Sequence, residues 1–202
     1  MQLSRKQLVP HIPYCSVDTC LIIVQHFNNQ NSLSCIWYSL HVDSDAAYLV
    51  AQHAKNRIAG YFQLNNKDYP SNPSTFLNGA ILVECKTLRH VVASSAENET
   101  VAAFHNAQCA LSIRYMLIQL GYPQPSTPFH IDNQTITNII KNHYTKKSKS
   151  WNMRFYWLRD QSISNNYQYY WDKSTNNLTD FFTKKYTIQY HVSSKNKYLL
   201  HT

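Results

Sequence analysis

Between Leu33 and Asp45 apolar positions alternate with polar ones: Ile36, Tyr38, Leu40 and Val42 stand against Trp37, Ser39, His41 and Asp43. A period of two predicts a strand, with Asp45 at or just past its end. Two further short strands are predicted at Arg57 to Leu64 and Gly79 to Leu88, separated by the turn-rich stretch Asn65 to Thr75. Three successive strands joined by turns argue an antiparallel meander. The period then changes. Over Ser95 to Leu120, Val101, Phe104, Ala107, Leu111, Tyr115 and Ile118 recur every three or four residues, predicting a helix with that face toward a sheet. Ser94 or Ser95 can cap its start, with Glu97 completing a capping box, and Gly121 with Pro123 closes its end.

Pro128 to Ile131 follows as a short strand ending on Asp132. A long helix between it and the meander makes it a candidate to pair parallel with the first strand, by the right-handed crossover rule. Helices are predicted at Asn133 to Asn142, Trp151 to Ser162 and Asn176 to Lys185, and a strand at Tyr167 to Trp171. Upstream, a short helix is expected at Val17 to Phe27, too small to fold alone. The tail from Tyr186 to Thr202 has no clear period and reads as partly ordered coil. The fold class is therefore α/β, with one mixed sheet of three antiparallel strands followed by parallel strands, flanked by helices.

Composition narrows the partners. The 202 residues carry 19 Lys and Arg against 11 Asp and Glu, a formal charge of +8, together with 15 Tyr, 8 Phe and 4 Trp. A basic, aromatic-rich surface suits a polyanion. The five cysteines are scattered and odd in number, as expected of reduced thiols in an intracellular protein. His11, Cys15, Cys20 and His26 can be drawn as a zinc quartet, but no tight cysteine pair supports it. No apolar run reaches about 18 residues, so no membrane span is expected.

If the first and fourth strands are neighbours, Asp45 and Asp132 meet at their carboxyl ends. The first turn of the crossing helix could bring Glu99 alongside, and Asp180 is the natural fourth member. Clustered carboxylates resist ionising together unless cations lie between them. Hard oxygen ligands select magnesium or manganese, and two such ions about 3.5–4 Å apart suit phosphodiester hydrolysis. From spacing alone, each of these residues could equally be a helix cap or a surface charge.

The motifs around these residues, Ser44-Asp45-Ala46-Ala47-Tyr48-Leu49, Ser95-Ala96-Glu97-Asn98-Glu99, Asp132-Asn133-Gln134 and Asn177-Leu178-Thr179-Asp180-Phe181-Phe182-Thr183-Lys184, occur in the order and spacing of a known family. They resemble the ribonuclease H domain of copia-type retrotransposon polyproteins, as does Ser150-Trp151-Asn152-Met153-Arg154-Phe155-Tyr156-Trp157. The resemblance covers Val42 to Lys185. It implies a ribonuclease H-like domain over 42–185, a remnant of the reverse transcriptase connection over 1–41 and a C-terminal tail over 186–202. It further implies cleavage of the RNA strand of RNA–DNA hybrids with two magnesium ions, manganese being the alternative metal. Asp45, Glu99, Asp132 and Asp180 would be the catalytic and metal-binding residues, leaving Glu97 as a cap.

Lys141, Lys146, Lys147, Lys149 and Arg154 would bind the hybrid's phosphates, and the reverse transcriptase portion would be a protein partner. The implied location is a cytoplasmic virus-like particle or the nucleus. Two departures stand out. Trp151 and Asn152 replace a small or His residue followed by Asp, and the mobile histidine that cellular enzymes place before the last aspartate has no counterpart, His191 lying after it. The alternative expectation is an inactive, truncated remnant that keeps the fold and some nucleic-acid binding.

Overall fold

The computed structural model of the chain describes residues 38–66, 79–89, 91–142 and 149–198. Strand β1 (Tyr38–Ala51), β2 (Lys55–Asn66) and β3 (Ala80–Thr87) pair antiparallel in sequence order. Helix α1 (Ser95–Gln119) then crosses the sheet to β4 (Thr127–Ile131), which lies parallel to β1 with Val42, Asp43 and Ser44 opposite Phe129, His130 and Ile131. Helices α2 (Gln134–Asn142) and α3 (Lys149–Ile163) lead to β5 (Tyr167–Tyr170), parallel to β4. The sheet order is β3-β2-β1-β4-β5, the mixed five-stranded arrangement expected from the pattern. A short helix α4 (Asp180–Thr183) and a final helix α5 (Ile188–Tyr198) close the described chain. The predicted helix at 17–27 and the drawn zinc quartet lie outside the described residues.

One core joins the sheet to the helices. Leu40 and Val42 of β1, Phe62 and Leu64 of β2 and Phe129 and Ile131 of β4 meet Ala103, Ala107, Ala110, Ile113 and Leu117 of α1, with Phe155 and Leu158 of α3 behind. Strand alternation places these residues on one face, and burying them supplies the main driving force for folding. Arg114 ties the far end of α1 to the start of β4, donating from Nη1 to Pro125 O and, at 2.7 Å, to Thr127 Oγ1.

Three expectations change. The sheet-facing stripe of α1 is Ala103, Ala107, Ala110, Ile113 and Leu117, whereas Tyr115 and Ile118 are 43% and 41% exposed. The alanines allow a close approach of helix to sheet, and the larger Phe104 sits on the flank, edge-on to Trp157 of α3 at 5.1 Å. Second, β1 continues to Ala51, because β2 stays paired with it beyond the point where β4 stops. Asp45 therefore lies inside a strand, one residue past the last parallel pair. Third, the tail from Ile188 forms a helix. Its Ile188 and Val192 are 82% and 70% exposed, so no apolar stripe marks it. Ring contacts hold it instead, Tyr190, His191 and Tyr198 packing on Phe181.

Candidate active site

The neighbouring strands β1 and β4 present Asp45 and Asp132 side by side, and the N-terminus of α1 reaches the same point. Its capping is divided between two residues. Ser94 Oγ accepts from Glu97 N at 3.1 Å, and Glu97 Oε2 accepts from Ala93 N at 2.7 Å, one residue before the cap. Glu97 is thereby committed to the backbone. Glu99, half a turn on, is buried against β1 and receives a backbone hydrogen bond from Ala46. One carboxylate oxygen each from Asp45, Glu99 and Asp132 lie within 4.8 Å of one another.

The electrostatics of this group follow from burial and like charge. Burial raises the Asp45 carboxyl to about 6, with Asp132 and Asp180 adding to the rise while the Thr183 hydroxyl and the Lys184 charge oppose it. Burial, then Asp45 and Asp132, raise Glu99 well above the usual carboxylate range. Asp132 is raised chiefly by burial, with Lys184 and His130 pulling against it. Glu99 Oε2 is buried without a hydrogen-bond partner. A buried orphan acceptor is costly, and a cation between these oxygens would satisfy it.

Asp180 does not join that group. It opens α4 with Oδ1 bound by Lys184 Nζ and Oδ2 by the Tyr186 hydroxyl, though it lies near enough to raise Asp45 and Asp132. The loop before it is pinned to β1: Asn177 Nδ2 donates to Ser44 O at 3.0 Å, and Asn177 Oδ1 accepts from Thr179 N at 3.0 Å. Thr183 Oγ1 donates to Asp45 Oδ2. On the other strand, Trp171 Nε1 donates to Asp132 O at 2.9 Å, and Asn133 Oδ1 caps α2 through Thr135 N and Ile136 N.

Asn177, Thr183 and Lys184 carry no sequence signal of their own, although all three stand in the motif that carries Asp180. His130 was also missed. Its Nδ1 lies 2.8 Å from Asp43 Oδ1, the pair is buried two residues from Asp45 and Asp132, and the ring stacks on Tyr170 at 5.1 Å. Its signal was a histidine and an aspartate at matching distances from the two site aspartates. Of the basic residues, Lys141 is exposed in the last turn of α2 and Arg154 half-buried on α3. Lys146, Lys147 and the side chain of Lys149 lie outside the described residues.

No family model matches the chain. It is 26% identical over 121 residues to the retrovirus-related Pol polyprotein from transposon TNT 1-94 of Nicotiana tabacum, a match covering 59% of this chain and 9% of that polyprotein. The chain thus spans about a tenth of the length of this curated relative. Among solved structures, LC11-RNase H1 in complex with an RNA/DNA hybrid superposes with a TM-score of 0.50 at 8% identity, covering 71% of this chain and 93% of that one. The N-terminal RNase H domain of a Mycobacterium tuberculosis protein gives 0.47 at 8% identity, over 72% and 91% of the two chains. No helix among the described residues is long and apolar enough to cross a membrane. The chain has a ribonuclease H-like fold and is similar in sequence to a retrotransposon Pol polyprotein.

Proposed function

We propose that this domain hydrolyses the RNA strand of RNA–DNA hybrids at the Asp45, Glu99 and Asp132 centre, as the nuclease part of a copia-type retrotransposon polyprotein. One observation carries the reading: three carboxylates from three separate elements converge within 4.8 Å around a buried, unpartnered Glu99 oxygen. An all-oxygen donor set suits magnesium or manganese. When bound, two such ions would activate the attacking water and stabilise the leaving oxygen.

The chain's own residues prepare that centre. Asp45, Glu99 and Asp132 would hold the cations, with Asp180 beside them. Thr183 fixes the rotation of the Asp45 carboxylate through its hydroxyl. Trp171 holds the Asp132 carbonyl, and Asn133 caps the helix that follows it. Lys184 adds a positive charge that favours the ionised forms of Asp45, Glu99 and Asp132. Lys141, Lys146, Lys147, Lys149 and Arg154 would contact phosphates, and contacts to 2′-hydroxyls would select RNA. Residues 1–41 would connect to the reverse transcriptase portion, the protein partner in this reading, which places the activity in a virus-like particle or the nucleus.

The test is cleavage of a labelled RNA–DNA hybrid by the purified chain with Mg²⁺ or Mn²⁺. Asp132→Asn should lower the rate by about 10³-fold, the worth of several kcal/mol of transition-state charge stabilisation, while hybrid retention on a filter persists. Binding without cleavage in the parent chain would instead establish the inactive remnant.

A further inference from the structure

We propose that Glu84, His105 and Cys109 form a second cation site, selective for zinc, between the edge strand β3 and helix α1. The three residues are independent of the carboxylate centre. His105 and Cys109 are one helical turn apart and so project from the same side of α1. Glu84 reaches them from β3, opposite Gly60, which has no side chain to intervene. One ligand atom from each lies within 4.8 Å of the others.

Two of the three ligand separations match a tetrahedral ion, and the third lies within 4.8 Å. His105 Nε2 is 3.1 Å and Cys109 Sγ 3.6 Å from the same oxygen, Glu84 Oε2. Zinc bonded to N, S and O at its usual lengths separates N from O by about 3.3 Å and S from O by about 3.5 Å. A thiolate and an imidazole beside one carboxylate also favour zinc over the harder ions suited to the carboxylate centre.

A second observation shows that the present contacts are incompatible with one another. His105 Nε2 lies 3.1 Å from Glu84 Oε2 and 3.0 Å from Lys86 Nζ. If Nε2 carries a proton, it faces the ammonium donor to donor. If it does not, its lone pair faces the carboxylate. Either tautomer leaves one mismatch. A metal ion removes both, because the nitrogen lone pair, the carboxylate and the thiolate then point at the same positive charge. Lys86 is half-exposed and can swing into solvent, opening a fourth position for water. Binding would release the Cys109 thiol proton to solvent, and the two anionic ligands would neutralise the ion.

Co²⁺ is the probe, since its thiolate complexes absorb in the near ultraviolet. Titration of the full chain should give this absorption with one equivalent of Co²⁺, and one equivalent of Zn²⁺ should abolish it. Cys109→Ser and His105→Gln should each remove the band, while Cys85→Ser and Asp132→Asn leave it intact. Lys86→Met should tighten Co²⁺ binding about fivefold, because the ion no longer displaces the lysine's ion pair. That gain cannot come from misfolding. No band in the parent chain, a band surviving Cys109→Ser, or unchanged affinity in Lys86→Met would overturn the proposal. A band with no hybrid cleavage would leave this site standing and the nuclease reading refuted.

Discussion

The Thr183 hydroxyl donates to Asp45 Oδ2, joining residues 138 apart in sequence. This bond and the one from Asn177 to Ser44 O lock the loop after β5 onto β1. It is also the largest influence holding the Asp45 carboxyl down against its burial. Thr183→Val keeps the shape and removes the donor, so the Asp45 carboxyl should titrate above its value of about 6. Carboxyl-detected NMR on the metal-free protein measures this directly. An unchanged titration would show that Thr183 does not set the state of Asp45.

Asp45 also links stability to pH. Its folded pKa lies near 6 against a reference of 3.8, so the fold binds its proton more tightly than the unfolded chain does. The sign is that of a penalty: nothing is lost below about pH 4, and stability falls as pH rises through about 6. The full cost of ionisation is on the order of 2–3 kcal/mol. His41, lowered to about 4 by burial, acts oppositely, gaining stability as pH rises toward 6.5. The clean observable is therefore a difference. In the absence of divalent ions, Asp45→Asn should stabilise the protein more at pH 8 than at pH 4, read as the change in urea midpoint between the two chains. A pH-independent difference would mean that Asp45 is not held out of its ordinary range.

Much of the arrangement was readable where the signal is local. Alternation from Leu40 to Val42 and the long helix before Pro128 were enough to place β4 beside β1 and so bring Asp45 to Asp132. Glu97 was readable as the capping-box partner of Ser94, and both are engaged at the helix start, whereas the role expected of Glu99 came from the family resemblance. The face of α1 was readable only in part: Val101 and Ala107 are buried as expected, while Tyr115 and Ile118 are exposed. Hydrophobicity weights Tyr115 and Ile118 above Ala103 and Ala110, yet close helix–sheet contact needs the small side chains. Helix α5 was hidden because aromatic packing on Phe181 holds it, without an apolar stripe of its own. Asn177 and Thr183 were silent because their partners on β1 lie far away in sequence.

Close approach at α1 gives a third prediction. A Cβ added at Gly60 would lie 2.5 Å from Asn106 Oδ1 and 2.8 Å from Asn106 Cγ. Asn106 cannot yield cheaply: it is buried, and its Nδ2 donates to Ser44 Oγ at 2.8 Å and Ala59 O at 2.7 Å. Gly60→Ala should therefore destabilise the fold by about 1–3 kcal/mol, as overpacking does. The double variant with Asn106→Ala should recover part of that loss. Chemical denaturation of the four chains of this cycle tests it, and additive effects would rule out the clash.

Lys184 gives the last prediction, because it touches both parts of the acidic site. Its ammonium binds Asp180 and also lowers the proton affinity of Asp45, Glu99 and Asp132. Removing the charge should make those three carboxylates harder to ionise, and cation binding requires the ionised form. In Lys184→Met the acid limb of the cleavage profile should thus move to higher pH, most clearly at subsaturating Mg²⁺. Asp180→Asn should behave differently. It removes a like charge, so the remaining carboxylates ionise more easily and the limb should move to lower pH, even as the rate falls. Because Asp180 lies outside the converging three, its loss should cost less than that of Asp132. Single-turnover cleavage across pH separates the two variants by the direction in which the limb moves, and shifts in the same direction would show that Lys184 acts only through Asp180.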